Sequence, residues 1–129
     1  MQGTIPCARI YETEDVLAFL DISPVIRGHT LVIPKTHVVN MLDLPGSLAG
    51  EMHLAMQKLG QAMMDGLKAG GFNLGMNNFK DAGQLVMHAH YHLIPRFAGD
   101  GLSLWAQGSY RDNDEMQKVA QEIKSAIPS

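Results

Sequence analysis

The sequence has little cysteine, no strong net charge and no long apolar run. Cys7 is the only cysteine among 129 residues, which excludes an intramolecular disulfide and a cysteine-rich zinc site. We expect Cys7 to be a small buried apolar residue. The net charge of −3 argues against a nucleic-acid polymer as the partner, because binding a polyanion requires clustered cations. No apolar run approaches the roughly 20 residues that span a bilayer, and the first residues lack a signal-peptide pattern, so we expect no membrane partner and a cytoplasmic location.

The rest of the composition is that of a globular protein, with 46% apolar and 18% charged residues. The length predicts a single domain over residues 1–129. Short apolar or β-branched runs predict strands at 10–11, 16–20, 30–33 and 72–77. Short connections between strands favour antiparallel pairing, so the fold class is predicted as α+β with a meander sheet.

Two helices are predicted between and after these strands. Ser47 is a candidate N-cap for a long helix that reaches about Lys68, and Gly70-Gly71 supplies a candidate left-handed end. Its apolar positions follow a spacing of three and four residues: Leu48, Met52, Ala55, Met56, Leu59, Met63 and Leu67. Asp112 or Asn113 is the candidate cap of a final helix with an apolar stripe at Met116, Val119, Ala120, Ile123 and Ile127.

The run from Val86 to Arg96 holds half of the six histidines at alternate positions. If the run is an extended strand, His88, His90 and His92 line one face, with neighbours about 6.5–7 Å apart. Three imidazoles on one face supply donors, acceptors and nucleophilic nitrogens near neutral pH. A purely structural role for all three is disfavoured, because the charged forms would repel one another and burial without partners is costly.

Two kinds of chemistry fit the three histidines. A His-x-His strand can bind Zn²⁺ or Fe²⁺, but the nearby carboxylates, Asp81 and Asp100, are separated from the triad by predicted turns or loops. Alternatively, a neutral imidazole attacks phosphorus while its neighbours donate hydrogen bonds, which requires no metal and no other cofactor. The turn Asp81-Ala82-Gly83-Gln84 could bring backbone N–H groups and the Gln84 amide to a phosphate.

The segment His88-Ala89-His90-Tyr91-His92-Leu93-Ile94-Pro95 resembles the signature of the histidine triad (HIT) family. Further similar segments follow in the family's order from about Tyr11 to Gly101. They are Phe19-Leu20-Asp21-Ile22-Ser23-Pro24, Gly28-His29-Thr30-Leu31-Val32-Ile33-Pro34-Lys35 with His37, Asn77, and Ala82-Gly83-Gln84. The ending Pro95-Arg96-Phe97-Ala98-Gly99-Asp100-Gly101 is closer to the prokaryotic HIT hydrolases than to the transferase branch.

This resemblance implies a five-stranded antiparallel sheet with one long helix and a C-terminal helix, paired as a homodimer. It also implies hydrolysis at the α-phosphate of a purine nucleoside phosphoramidate or a dinucleoside polyphosphate. By motif position, His90 is the nucleophile that forms a nucleotidyl-histidine intermediate. The other implied catalytic residues are His88, which holds the geometry, His92, which contacts the phosphate and leaving group, and His37, which supports the triad. The implied substrate-binding residues are Asp21 and Ile22 for ribose and base, and Asn77, Gly83 and Gln84 near the phosphate.

Two departures from the family pattern leave alternatives open. Leu85 stands where other branches often have a hydroxyl or acidic residue, so one phosphate or leaving-group contact is missing. A non-catalytic nucleotide-binding or scaffolding module is therefore a second hypothesis, and a histidine-ligated metal enzyme is a third. Many relatives also begin with a Cys-x-x-Cys zinc site, which Cys7 alone cannot build. We expect His29 and His53 to be structural or surface residues.

Overall fold

The computed structural model describes residues 8–129, so Cys7 lies outside the described residues. One five-stranded antiparallel sheet has the strand order β1-β2-β3-β5-β4. The strands are β1 (Arg9–Glu12), β2 (Val16–Leu20), β3 (Thr30–Pro34), β4 (Gly71–Gly75) and β5 (Tyr91–Arg96). Helix α1 (Gly46–Leu67) connects β3 to β4, and helix α2 (Asn113–Ala126) ends the fold. The predicted α+β class with a five-stranded antiparallel sheet is confirmed.

The core lies between α1 and one face of the sheet. Val16, Ala18, Val32 and Leu93 are fully buried on β2, β3 and β5. The facing residues of α1 recur every three or four positions, as the sequence predicts: Met52, Ala55, Met56, Leu59 and Met63. The helix lies close to β4 at Gly60, where a Cβ atom would be 2.5 Å from Cζ of Phe72. Glycine at this position therefore sets the spacing between the helix and the strand.

Both predicted ends of α1 are wrong in detail. The N-cap is Pro45 rather than Ser47, because the fixed φ of proline already orients the entering chain and its carbonyl accepts the Ala49 N–H at 2.9 Å. The left-handed residue at the other end is Lys68, at φ 62°, rather than a glycine of the Gly70-Gly71 pair. The Nζ atom of Lys68 donates to the carbonyl of Asp65 at 2.8 Å, which satisfies one free carbonyl of the last turn.

The predicted histidine strand is also only partly correct. β5 begins at Tyr91, so His92 is in the strand whereas His88 and His90 precede it in irregular chain. The ladder between β3 and β5 stops at the pair Val32 and Tyr91. Continuing it would place Pro34 in the ladder without an N–H, and its carbonyl already accepts from the His88 ring at 2.8 Å.

The C-terminal helix and the fourth strand differ less from expectation. Asp112 caps α2 as predicted, since its carboxylate accepts the Glu115 N–H at 2.8 Å. The strand predicted over 72–77 is Gly71–Gly75. The apolar stripe of α2 does not join the core, because Met116, Ile123 and Ile127 are 40%, 64% and 66% exposed. Within residues 8–129, no helix is long and apolar enough to cross a membrane.

Candidate active site

Four histidines converge where the chain enters β5. The rings of His90 and His92 contact each other edge to face, with centroids 5.0 Å apart and an interplanar angle of 67°. The ring of His37, from the segment after β3, lies 5.2 Å from that of His88. The backbone N–H of Ala89 donates to the carbonyl of Val38 at 2.6 Å and ties the two segments together. The fold thus gathers every histidine that the sequence assigns to the site.

The Nδ1 atom of His90 lies 2.8 Å from the backbone carbonyl of His88. A carbonyl oxygen only accepts, so Nδ1 of His90 carries the proton. In the neutral ring, Nε2 then keeps its lone pair and is the nitrogen that can act as a nucleophile. The backbone of His88 therefore sets the tautomer of His90.

The side chain of His88 is held by a similar hydrogen bond. Its Nε2–H donates to the carbonyl of Pro34, and its Nδ1 lies 3.3 Å from Nδ1 of His37. In a neutral His88 the Nδ1 atom accepts, so the exposed His37 is the donor of that pair. His37 contacts His88 rather than His90, an arrangement that supports the triad from its edge.

His92 contacts a histidine that the sequence analysis placed among structural or surface residues. His29 is 3% exposed, and its Nε2 lies 2.9 Å from Nδ1 of His92. Burial lowers the pKa of both rings, and the neighbouring ring of His90 lowers the pKa of His92 further. Both side chains are therefore neutral near pH 7.

The turn before the triad is held by Gln84, which is 2% exposed. Its Oε1 accepts the Phe79 N–H at 2.8 Å, and its Nε2 donates to the carbonyls of Val39 and Val86 at 2.6 and 3.1 Å. Phe79 has a positive φ of 71°, a strained conformation that this bond helps to maintain. The amide of Gln84 thus braces the turn, and its direct contact with a phosphate stays a prediction.

The other candidate phosphate-binding residues lie on the same turn and beside it. Gly83 has a φ of +98°, which favours glycine, and a Cβ there would be 3.4 Å from Nδ2 of Asn77. Asn77 and His92 both line a cavity of about 710 Å³. This places Asn77 next to the histidines, as the sequence pattern suggests.

Asp21 and Ile22 directly follow β2, and Asp21 lies beside His29. One carboxylate oxygen of Asp21 accepts the Ser23 N–H at 2.9 Å, and the other lies 3.8 Å from Nε2 of His29. Ile22 is 78% exposed. A half-buried carboxylate beside an exposed apolar side chain can contact a sugar hydroxyl and the face of a base.

Several cavity-lining residues were not predicted as site residues. The cavity extends from His29 and His92 along β4 and β5 to the segment after β5, where Leu104 and Trp105 form a wall. Trp105, the only tryptophan, is 92% exposed. The guanidinium of Arg96 binds Asp100 through two hydrogen bonds and the carbonyl of Leu102 at 3.0 Å, which fixes the start of this wall. One signal in the sequence could have indicated this wall. It is the apolar pair Leu104-Trp105, which lies in a stretch predicted to be neither helix nor strand.

In the described part of the chain, the one group of three or more possible metal ligands is Asp21, His29 and His92, where one ligand atom from each lies within 4.8 Å of the others. Ligation through Nε2 of His29 would require its proton to move to Nδ1. That atom accepts the Val25 N–H at 3.0 Å, so metal binding would break this hydrogen bond. The geometry therefore favours a hydrogen-bonded histidine pair over a metal centre.

We expect the free energy of unfolding to decrease as the pH falls from about 7.5 to about 5.5. Burial lowers the pKa of His29 and His92, so near the ordinary histidine pKa the unfolded chain binds more protons than the folded protein. The stability contributed by the two neutral rings is present above that pKa and is lost as the pH falls through their lowered values. Arg96 holds the pKa of Asp100 well below its usual range, so this carboxylate stays ionised across the window.

Urea unfolding at three pH values measures this dependence. A His53→Gln variant, changed on the exposed side of α1, should show the same dependence as the unaltered protein. Stability that rises on acidification over this interval would contradict the assignment of neutral His29 and His92.

The fold and the site together define a class of protein: an antiparallel sheet that places a cluster of histidine rings beside a cavity. Residues 2–99 match the HIT domain family. The protein from Bacillus subtilis called Protein hit is 43% identical over 131 residues, an alignment that covers 98% of the chain and 90% of that protein. The chain therefore belongs to the HIT family.

Relatives with named activities are more distant. Adenylylsulfatase HINT3 of Arabidopsis thaliana is 34% identical over 128 residues, covering 98% of the chain and 64% of that protein. Adenosine 5'-monophosphoramidase hnt1 of Schizosaccharomyces pombe is 34% identical over 128 residues, covering 98% of the chain and 93% of that protein. The family thus includes enzymes that are named for acting on adenylyl compounds.

Solved structures show the same fold. The structure of a Streptococcus mutans protein matches with a TM-score of 0.88 at 43% identity, covering 98% of the chain and 80% of that structure. A HIT family member from Bacillus subtilis matches with a TM-score of 0.86 at 40% identity, covering 98% and 92%. A histidine triad nucleotide-binding protein from Candida albicans matches with a TM-score of 0.79 at 30% identity, covering 95% and 90%.

Proposed function

We propose that the protein is a nucleotide hydrolase that cleaves at the α-phosphate of a purine nucleoside phosphoramidate or a dinucleoside polyphosphate through a covalent intermediate on His90. The observation that carries this proposal is the 2.8 Å hydrogen bond from Nδ1–H of His90 to the His88 carbonyl. In the neutral ring it leaves the lone pair on Nε2 of His90. The relatives named as a phosphoramidase and an adenylylsulfatase support the substrate class.

The reaction proceeds in two displacements at phosphorus. Nε2 of His90 attacks the α-phosphorus, and the bond from phosphorus to the leaving nitrogen or oxygen breaks as the leaving group takes a proton from solvent water. The intermediate is a cationic nucleotidyl-imidazole, whose Nδ1–H still donates to the His88 carbonyl. Water then attacks the same phosphorus and gives up one proton to solvent, which releases the nucleoside monophosphate and returns neutral His90. Each step balances with this chain's residues, substrate and water.

The neighbouring residues have separate roles in this scheme. His92 contacts the phosphate and leaving group, while His88 and His37 hold the nucleophile in position. Asp21 and Ile22 bind ribose and base, and Asn77 with the Gly83 turn lies near the phosphate. Their support is the convergence of the histidine rings, with neighbouring centroids about 5 Å apart, beside a cavity that Asn77 also lines.

We propose further that the whole chain, residues 1–129, acts as one HIT domain in a cytoplasmic homodimer. The exposed apolar stripe of α2 supports pairing, because an unpartnered stripe of this kind is typical of an interaction surface. The two edge strands of the sheet, β1 and β4, also support pairing, because the outward-facing backbone groups of an edge strand can pair with a strand of another chain.

Incubation with adenosine 5'-phosphoramidate tests the proposed activity. We expect AMP to be released, and a chelator to leave the rate unchanged. Binding without AMP release would favour the non-catalytic nucleotide-binding module instead. Stoichiometric metal in the purified protein, together with loss of activity on chelation, would favour a metal enzyme.

The single tryptophan offers a direct measure of binding. Trp105 lines the same cavity as His92 and is 92% exposed, so a bound nucleotide should change its fluorescence intensity and shift its emission to shorter wavelength. Titration with AMP while emission is recorded measures the effect. A Trp105→Phe variant that still releases AMP is the control, and unchanged emission at saturating nucleotide would contradict the placement of the nucleotide in this cavity.

Leu85 is the departure from the family pattern, and its side chain is 86% exposed. We expect Leu85→Ser to raise kcat for the phosphoramidate by up to about tenfold, because a hydroxyl can add one hydrogen bond to the phosphate or the leaving group. Stability should change by no more than about 0.5 kcal/mol. Leu85→Ala is the matched control, since it removes the same apolar surface without adding a donor. An equal gain in both variants would contradict this explanation.

A further inference from the structure

Phe79 is a strained residue on the turn before the triad. Within residues 8–129, the non-glycine residues with a positive φ are Lys68 and Phe79. Lys68 has the left-handed conformation common at a helix end, whereas Phe79, at φ 71° and ψ 161°, lies in a region that glycine alone adopts freely. Phenylalanine at this position therefore requires a compensation that glycine would not.

The fold itself does not explain the side chain of Phe79. The Phe79 N–H donates to Oε1 of Gln84, and the Phe79 carbonyl accepts the N–H groups of Ala82 and Gln84 at 3.1 and 3.0 Å. Glycine would make the same backbone hydrogen bonds without the strain. Phe79 is also 57% exposed, so packing within the described chain does not account for the phenyl ring. The ring is left for a molecule outside the fold.

Further exposed apolar residues lie beside this turn. The Met41 N–H donates to Oδ1 of Asn78 at 2.8 Å, and the Gln84 amide donates to the carbonyl of Val86, so hydrogen bonds hold the three segments together. We define the apolar patch as the exposed apolar residues of these segments: Met41, Phe79, Leu85 and Val86, which are 53%, 57%, 86% and 61% exposed. A cluster of exposed apolar side chains is typical of a binding surface.

The apolar patch borders the triad at its His88 end. Val86 is two residues before His88, whose ring contacts that of His37. The cavity instead reaches the triad at His92, and none of the four patch residues lines it. A nucleotide in the cavity, with its α-phosphorus at His90, leaves the His88 end for the other substituent of phosphorus, which is the leaving group.

The charges near the patch disfavour a strongly anionic leaving group. Segments 38–43 and 78–87 contain two aspartates, Asp43 and Asp81, and one lysine, Lys80, and all three are exposed. A polyphosphate leaving group carries several negative charges, which one lysine beside two carboxylates does not balance. An amine with an apolar substituent can instead bury that substituent against the patch.

We propose that the apolar patch is the leaving-group site, and that the preferred substrate is a nucleoside phosphoramidate whose amine carries an aromatic or bulky aliphatic substituent. This inference rests on the proposed function and chooses the phosphoramidate over the dinucleoside polyphosphate. Phe79 is the main specificity-determining residue, because its ring is the one aromatic group of the patch.

Hydrolysis of matched compounds tests this specificity. The N-phenethyl and N-hydroxybutyl adenosine phosphoramidates have leaving amines of similar length, one apolar and one polar. We expect kcat/KM to be about 10- to 100-fold higher for the N-phenethyl compound, and lower for diadenosine tetraphosphate than for either. Equal values for the two phosphoramidates, or a higher value for the polyphosphate, would overturn the proposal.

Substitutions at Phe79 separate the ring from the backbone strain. Phe79→Gly removes both, so the ratio of the two kcat/KM values should fall about 10-fold while the urea midpoint of unfolding rises. Phe79→Ala removes the ring but keeps the strain, and should lower the ratio without raising the midpoint. Phe79→Tyr keeps the ring and should keep the ratio. An unchanged ratio in Phe79→Gly would refute the assignment, and loss of a dimer in that variant would then assign the patch to a second copy of the chain.

Leu54→Ala is the matched control, because Leu54 is an exposed apolar residue on α1 and its loss should leave the ratio unchanged. Calorimetric titration separates failure of this inference from failure of the proposed function. The second failure would appear as no AMP release from any compound. The His90→Ala variant should still bind the N-phenethyl compound about tenfold more tightly than the N-hydroxybutyl compound, and equal Kd values would overturn the leaving-group site.

Discussion

His90→Ala should lower kcat for adenosine 5'-phosphoramidate by about 10⁴- to 10⁶-fold, the range expected when a covalent nucleophile is removed. Nucleotide binding should persist, because the proposed ribose and base contacts at Asp21 and Ile22 are untouched. Rapid quenching of the unaltered enzyme should trap AMP on His90, and mass spectrometry of the peptide that contains residues 88–92 detects it. The variant should give no such adduct.

The control for this experiment is His53→Ala, on the solvent side of α1. It should retain full activity and form the adduct at the usual position. Near-normal turnover by His90→Ala, or an adduct on a different side chain, would refute the assigned nucleophile.

Gln84→Leu should destabilise the protein by about 2–4 kcal/mol and lower kcat by about 100-fold. The substitution removes three hydrogen bonds and leaves the Phe79 N–H and the carbonyls of Val39 and Val86 without their partner. The turn before His88 then loses its brace, so the nucleophile is misplaced as the fold weakens. Urea unfolding and steady-state kinetics measure the two effects together.

Gln57→Leu makes the same chemical change on the exposed side of α1 and should alter neither quantity. A phosphate-binding role for the Gln84 amide predicts a different result. In that case activity would fall while the free energy of unfolding stays the same, and the brace assigned to Gln84 would be wrong.

Much of the fold follows from local patterns in the sequence. The spacing of apolar residues in α1 predicts its buried face, because a helix repeats every 3.6 residues. The Asp112 cap of α2 is likewise local. The ends of α1 were less predictable, since Pro45 and Lys68 replace the expected cap residues and Lys68 obtains compensation from a bond to the Asp65 carbonyl.

The alternation of histidines predicted which residues come together, but it predicted the wrong backbone conformation for His88 and His90. Alternation predicts a strand from His88 onward, but the partner strand ends in Pro34, which has no N–H for a ladder. The position of Pro34 opposite the histidine segment depends on which strands are neighbours and on the register of their pairing. No pattern within residues 86–96 contains it.

The contact between His29 and His92 could not be predicted from the sequence for the same reason. His29 lies one residue before β3, 63 positions from His92, and only the pairing of β3 with β5 brings their rings together. A lone histidine after a glycine gives no local sign of such a partner. The position of Trp105 in the cavity wall was equally unpredictable. It depends on the path of the chain after β5, where Arg96 holds Asp100 and the Leu102 carbonyl by hydrogen bonds.

The near contact between Gly60 and Phe72 limits how this protein can diverge. Alanine is ordinarily a welcome replacement for a glycine within a helix, yet at position 60 the added methyl would collide with the phenyl ring of β4. Gly50 and Gly66 of the same helix have open space around them. Mutational drift can therefore strengthen α1 towards its two ends, whereas a larger residue at its middle requires the phenyl ring of Phe72 to shift.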